Sequence, residues 1–178
     1  MARHDPLHLA KRRPRLFVMN RMMILPVTVA TIAAICVAAL GATITDLGPW
    51  YQGLAKPAWN PPDVVFPMGW TLIYALITIA GINAWRAART SAQAEWVISL
   101  FALNGFLNIL WSIIFFRMQR PDWAFVEVIG LWLSIVVLIV YCGRFSKSAG
   151  WLLLPYLGWV SFAGALNWAV VQLNGPFG

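Results

Sequence analysis

Five apolar segments, each close to the length that crosses a lipid bilayer, constrain this chain more than any other feature. They lie at Met22–Ala42, Val65–Arg86, Ala94–Phe116, Trp123–Cys142 and Trp151–Leu173. About 20 apolar residues span a bilayer as an α-helix, and these continuous runs lack the alternation of a membrane β-barrel. Because only 11% of the 178 residues are charged, polar side chains are too few to cover a soluble protein. The sequence therefore predicts an all-α membrane protein, a bundle of five transmembrane helices surrounded by lipid.

The distribution of basic residues predicts how this bundle is oriented. Six Lys or Arg residues lie in a polar N-terminal tail at residues 1–21, and two more accompany each of the second and fourth connectors. The opposite side of the bundle carries Lys56, Arg117 and Arg120. Since cytoplasmic loops carry the excess of Lys and Arg, we expect a cytoplasmic N-terminus and an outside C-terminus, most simply in a bacterial inner membrane. The net charge of +7 then reflects topology and contact with anionic lipid, and no nucleic-acid partner is expected.

The cysteine and histidine residues argue against several kinds of chemistry. His4 and His8 lie in the polar tail, and both Cys36 and Cys142 lie inside apolar segments. We therefore expect no disulfide framework, no metal site and no histidine acting as a base. The sequence offers no catalytic residue and no required cofactor.

Glu127 is the one carboxylate well inside an apolar segment. An acidic residue within a membrane is a functional hypothesis by default. An ion pair with Arg117 or Arg120 near the membrane surface is an equally good interpretation, and the sequence does not decide between them.

Small residues recur at every fourth position of the first segment. They are Ala30, Ala34, Ala38 and Ala42. Such a row lets helix backbones approach closely. The close contact could lie within the bundle or across a dimer, and a homodimer is the expected assembly.

The connector between the first two segments, residues 43–64, is predicted to be a lid. It is rich in aromatic residues and proline, including Trp50, Tyr51, Pro57, Trp59, Pro61 and Pro62. Proline restricts its own backbone and that of the preceding residue, and aromatic residues are too apolar for a solvated linker. A stiff aromatic connector needs a surface to lie on, so we expect it to cover a cavity. Asn60 is expected to cap the helix that follows.

Aromatic and amide side chains recur at helical spacing on three segments and predict a pocket beneath this lid. With a rise of about 1.5 Å per residue, these stripes reach similar depths in the half of the bundle nearest the lid. Any one of them could serve packing or helix–helix hydrogen bonding instead, but their convergence favours a ligand site. The candidate ligand-binding residues are Trp50, Tyr51, Trp59, Trp70, Tyr74, Asn104, Asn108, Trp111, Tyr156, Trp159, Ala163 and Asn167.

Several of these residues belong to motifs of one known family. The motifs are Trp50-Tyr51, Lys56-Pro57-x-Trp59-x-Pro61-Pro62, Phe66-x-x-x-Trp70, Leu103-Asn104, Pro155-Tyr156-x-x-Trp159 and Leu166-Asn167. Together they resemble the TspO/MBR family, the tryptophan-rich sensory proteins and translocator proteins once called peripheral benzodiazepine receptors. The resemblance covers about residues 22–174, and the basic tail is longer than the family usually carries.

The resemblance implies a five-helix membrane domain, commonly dimeric, whose pocket is closed by the first loop. It implies binding of porphyrins such as protoporphyrin IX or haem, and of isoquinoline carboxamide and benzodiazepine drugs. The family's pocket positions correspond to Trp50, Trp70, Asn104, Asn108, Trp159 and Ala163. The sterol motif of mammalian members is absent, because no Lys or Arg follows Lys147.

Three functions are therefore considered for this chain. The favoured one is a membrane protein that binds porphyrin and transports it or regulates its level, since a flat macrocycle stacks on indole rings and amides can orient its polar edge. A light- or oxygen-dependent enzyme that degrades porphyrin is the first alternative. A sensory or interaction protein modulated by ligand is the second, and the basic tail is its main support.

Overall fold

The computed structural model describes the backbone of residues 15–177 and the side chains of residues 27–177. Of the tail predicted at residues 1–21, the first 14 residues lie outside this described part. The last seven belong to the first helix, which begins at Arg15 rather than at the predicted Met22.

The described residues form six α-helices. They are α1 (Arg15–Ile44), α2 (Pro49–Gly53), α3 (Val65–Ala87), α4 (Ser91–Ser112), α5 (Pro121–Gly143) and α6 (Lys147–Asn174), and a π-helical turn at Ile113–Arg117 continues α4. All except α2 are long and apolar enough to cross a membrane. The predicted bundle of five membrane-spanning helices is therefore confirmed, with most boundaries within a few residues of those expected from hydropathy.

The five long helices form a closed ring in the order α1, α3, α6, α5, α4. Each packs on its neighbours in this order, and α3 also contacts α4 across the ring. Because successive helices run in opposite directions, the ends of α1, α4 and α6 meet the starts of α3 and α5. We call this the lid end. The fully buried apolar core, including Ile135, Leu138 and Leu153, lies towards the opposite end and leaves room beneath the lid.

The small residues of α1 face the bundle. Ala30, Ala34 and Ala38 are half-buried, whereas most of their neighbours on α1 are exposed. Gly41 continues this face, and a Cβ built there would lie 3.7 Å from the Tyr74 hydroxyl. Ala42, the last member of the predicted row, is exposed. Of the two uses considered for the row, close contact within the bundle is the one that the structure displays.

The start of α3 differs from the sequence expectation. The helix begins at Val65, and its N-cap residue, Val64, makes no side-chain capping bond. Asn60 instead donates from Nδ2 to the carbonyl of Pro61 at 2.9 Å. The prediction that Asn60 caps this helix is wrong, because a further turn of irregular chain separates Asn60 from the helix start.

Of the two alternatives considered for Glu127, the ion pair with Arg117 or Arg120 is not formed among the described residues. Arg120 pairs with Asp122 in the first turn of α5, and Arg117 lies 4.0 Å from Asp46. Both carboxylate oxygens of Glu127 are buried without a hydrogen-bond partner among the described residues. The functional hypothesis for this carboxylate stays a prediction.

The closest approach of α5 and α6 supplies a test of the packing. A Cβ built at Gly150 would lie 3.3 Å from the Cα of Gly143 and 3.5 Å from the carbonyl oxygen of Ile139. We expect Gly150→Val to lower stability by about 1–3 kcal/mol because it overpacks this contact, measured as a fall of several degrees in the thermal midpoint in detergent. Gly158→Val is the matched control on α6, since nothing lies within 4 Å of its added Cβ. Equal midpoints for the two variants would contradict this packing.

Candidate ligand-binding site

A cavity of about 520 Å³ lies beneath the lid and is lined by all five long helices and the lid itself. The lid is the segment from Thr45 to Val64, which includes the short helix α2. The sequence gives no sign of α2, because five residues are too few to establish a helical period. Ligand pockets in proteins commonly have volumes of about 300–1,000 Å³, so this cavity is large enough for a substantial organic molecule.

Trp70 is at the centre of the aromatic wall. Its ring stacks on Tyr74, with centroids 5.4 Å apart and planes inclined by 26°. It meets Trp159 edge-on, at 6.1 Å and 81°. Phe66 and Phe162 extend the wall on either side of Trp159, at 6.4 and 6.0 Å from its ring. The cavity therefore presents indole and phenyl surfaces in two nearly perpendicular orientations.

Gly69 lets Trp159 approach α3 closely. A Cβ built at Gly69 would lie only 2.7 Å from Cζ2 and Cζ3 of the Trp159 ring. Any larger residue at this position would push the indole away from α3. The orientation of Trp159 in the cavity wall therefore depends on a glycine from another helix.

A chain of hydrogen bonds closes the cavity on the side away from the lid. Tyr74 donates to Oδ1 of Asn108 at 2.9 Å, and Nδ2 of Asn108 donates to the Tyr156 hydroxyl at 3.4 Å. Tyr156 donates to Oδ1 of Asn104 at 3.2 Å, and Nδ2 of Asn104 donates to the Ser134 hydroxyl at 2.8 Å. These side chains come from α3, α4, α6 and α5. The chain therefore joins four helices with their buried polar groups mutually paired.

A second pair of hydrogen bonds fixes the wall near the start of α5. The indole Nε1 of Trp111 donates to Oδ1 of Asn167 at 3.1 Å, and Nδ2 of Asn167 donates to the carbonyl of Pro121 at 2.8 Å. Both ends of the Asn167 amide are thus occupied by protein groups. Asn167 therefore lines the cavity and at the same time links α4, α5 and α6 through its hydrogen bonds.

The π-helical turn adds two phenylalanines to the same wall. Phe115 stacks on Trp111 at 5.1 Å and 28°, and both Phe115 and Phe116 line the cavity. A single π-helical turn in an α-helix often accompanies a functional site. The sequence analysis missed this turn, since hydrophobic periodicity does not distinguish it from the α-helix that it continues.

The structure divides the twelve candidate residues into two groups. Those that line the cavity are Tyr51, Trp70, Tyr74, Asn108, Trp111, Trp159, Ala163 and Asn167. Those that do not are Trp50, Trp59, Asn104 and Tyr156.

Of the four residues off the cavity surface, Trp50, Trp59 and Tyr156 contact a residue of its wall, and Asn104 bonds to Tyr156. Trp50 packs edge-on against Phe115 at 5.9 Å, and Trp59, which is 51% exposed, packs edge-on against Phe162 at 5.9 Å. Asn104 and Tyr156 are buried in the hydrogen-bond chain. Helical spacing indicated which faces these two residues share with the cavity residues, but it did not show that Tyr156 and Asn104 bond to each other across the bundle.

Several cavity residues were missed by the sequence analysis. Phe66 and Phe162 lie one helical turn from Trp70 and Trp159, so longer stripes would have included them. Lys56 and Asp63 also line the cavity, and both are in the lid. Their positions depend on the irregular path of the lid, for which the sequence offers no periodic signal.

The lid is held to the end of α6 by one side chain. Oδ1 of Asn174 accepts from the backbone N–H of Ala55 at 2.8 Å, and Nδ2 donates to the Ala55 carbonyl at 2.9 Å. Near the other end of the cavity mouth, Arg117 donates to the carbonyl of Thr43, at the end of α1. The first contact fixes the lid to α6, and the second fixes the end of α1, just before the lid, to the π-helical turn.

We expect Asn174→Ala to loosen the lid, because it removes both hydrogen bonds to Ala55. Backbone hydrogen exchange in residues 54–58 should become about tenfold faster in detergent micelles, as expected for the loss of about 1.4 kcal/mol of local stability. Gln172→Ala on an exposed position of α6 is the control and should leave this exchange unchanged. Equal exchange rates in the two variants would show that Asn174 does not hold the lid.

Comparison with known proteins identifies the family. The TspO/MBR family model matches residues 26–173. The tryptophan-rich protein TspO of Chlorobaculum tepidum is 38% identical over 160 residues, covering 88% of this chain and 99% of that protein. The protein of the same name from Archaeoglobus fulgidus is 39% identical over 155 residues, covering 86% and 99%. The translocator protein of Sus scrofa is 31% identical over 126 residues, covering 70% and 75%. The resemblance seen in the motifs is confirmed, and this chain belongs to the TspO/MBR family of membrane proteins.

Proposed function

We propose that this protein binds a porphyrin in the cavity beneath the lid and transports it or regulates its level. The observation that carries the proposal is the cavity of about 520 Å³ with Trp70 and Trp159 in its wall. Aromatic pairs favour offset-stacked or edge-to-face arrangements. The two indoles, nearly perpendicular at 81°, allow a flat macrocycle to stack on one ring while its edge meets the other.

The polar groups of the cavity support a ligand recognised mainly by shape and stacking. Tyr74 and Asn108 are paired with each other, and Trp111 and Asn167 are likewise paired. A ligand that demanded many hydrogen bonds would have to break these contacts within the membrane, where unpaired polar groups are costly. A large, flat and mostly apolar ring system imposes no such cost, which favours a porphyrin.

The membrane setting is consistent with handling of an apolar ligand. A porphyrin partitions into lipid, and all five helices that line the cavity are long and apolar enough to span the bilayer. The homodimer, the cytoplasmic N-terminus and the bacterial inner membrane remain parts of this proposal, derived from the sequence.

Filling the cavity tests the proposal. Ala163 lines the cavity, whereas Ala165, two residues further along α6, is exposed on the outside of the bundle. We expect Ala163→Phe to weaken binding of protoporphyrin IX at least tenfold, because the added ring occupies space that the macrocycle needs. Ala165→Phe adds the same ring outside the cavity and should leave binding unchanged. Titration of intrinsic tryptophan fluorescence in detergent measures both affinities.

A thermal unfolding curve for each variant separates loss of folding from loss of binding. If Ala163→Phe folds and binds protoporphyrin IX with the affinity of the wild type, the cavity is not the binding site. If the wild type itself shows no saturable quenching, the protein does not bind this porphyrin.

A further inference from the structure

Two charged side chains of the lid face the cavity. Among the lining residues within 27–177, Lys56 is the one cation and Asp63 is the one carboxylate. Every other lining side chain is apolar, aromatic, a hydroxyl or an amide. Any charged group on a ligand must therefore be accommodated at the lid.

Lys56 has no carboxylate partner among residues 27–177. Its ammonium group lies 4.2 Å from the centroid of the buried Tyr51 ring, in a cation–π contact that does not neutralise the charge. Within residues 27–177, the ion pairs within 4.0 Å are those of Arg117 with Asp46 and of Arg120 with Asp122. Lys56 is thus a half-buried cation whose ammonium group can still donate hydrogen bonds to a ligand.

Asp63 lies on the same side of the cavity but does not pair with Lys56. Burial raises the pKa of Tyr51, and the charge of Asp63 raises it further. Tyr51 and Asp63 both line the cavity, and Asp63 is exposed at its mouth. Lys56 and Asp63 thus place a positive and a negative charge at the cavity mouth without forming an ion pair. The Coulomb interaction with Lys56 favours binding of an anionic ligand group, and the interaction with Asp63 disfavours it.

Besides Lys56, the donors in the cavity wall are neutral, and one of them, Nε1 of Trp159, is buried without a hydrogen-bond partner among the described residues. The amides of Asn108 and Asn167 and the Tyr74 hydroxyl are engaged with protein partners. An ammonium group forms stronger, charge-assisted hydrogen bonds to a carboxylate than these neutral groups do. A carboxylate of the ligand is therefore bound most favourably at the mouth of the cavity, beside Lys56.

We propose that Lys56 is an anion subsite that binds a carboxylate of the ligand, with the macrocycle inside the cavity against Trp70 and Trp159. This inference rests on the proposed porphyrin function, and it adds which class of porphyrin is preferred and how it is oriented. Porphyrins with free carboxylates on one edge are selected, and that edge points towards the lid. The Asp63 carboxylate repels any ligand carboxylate that lies near it, and this repulsion restricts the carboxylates to positions closer to Lys56.

The test compares protoporphyrin IX with its dimethyl ester, which has the same ring but no negative charge. Both are titrated against the wild type, Lys56→Met, Lys56→Arg and Asp63→Asn, with tryptophan quenching in detergent as the readout. Each ligand is compared with itself across variants, so differences in partitioning into detergent cancel.

We expect Lys56→Met to weaken binding of the free acid about five- to tenfold and to leave binding of the ester unchanged. Lys56→Arg retains the charge and should retain most of the affinity for the acid. Asp63→Asn should strengthen binding of the acid about two- to fivefold, again without effect on the ester. A general disturbance of the lid would change the affinity for the acid in the same direction in both variants, so opposite changes point to the charges themselves.

Two distinct outcomes contradict this proposal. If Lys56→Met weakens binding of acid and ester equally, or of neither, Lys56 does not bind the carboxylate although the porphyrin function stands. If the wild type binds neither ligand, the porphyrin function itself fails. Thermal midpoints identify a variant that does not fold, and Lys56→Arg and Asp63→Asn then still decide the question.

Discussion

The structure depends on the Tyr156 hydroxyl, which bonds to Asn104 and Asn108 and so ties α6 to α4. In lipid there is no hydrophobic drive between helices, and polar contacts and close packing must supply the association. Tyr74 and Ser134 extend the chain of bonds to α3 and α5. The helices are thus held together at this level, and the cavity begins where the chain ends.

The lid completes an enclosure that the helices leave open. Trp50 and Trp59 of the lid pack on Phe115 and Phe162 of the bundle. Asn174 holds the lid to α6, and Arg117 holds the end of α1. The lid is an irregular segment with one short helix, α2, and within residues 27–177 only a few hydrogen bonds from side chains hold it to the bundle. The same segment carries Lys56 and Asp63, so the segment that encloses the cavity also carries the two charges proposed to act on the ligand.

Much of the fold could be predicted from sequence because membrane spans follow from length and apolar composition. The stripes containing Trp70, Asn108 and Trp159 also pointed correctly to one cavity, since helical spacing fixes which side chains share a face. Periodicity could not tell that Tyr156 and Asn104 bond to each other, because this depends on the distance between helices. Nor could it reveal α2, the π-helical turn or the position of Lys56, which follow from local hydrogen bonding and from the path of an irregular segment.

The most direct test of the account is a crystal structure of the protein with protoporphyrin IX bound. The account predicts the macrocycle in the cavity against Trp70 and Trp159, above an intact hydrogen bond from Tyr74 to Asn108, with a carboxylate directed towards the lid. A porphyrin bound on the lipid-facing surface of the helices, with the cavity empty of it, would contradict the account.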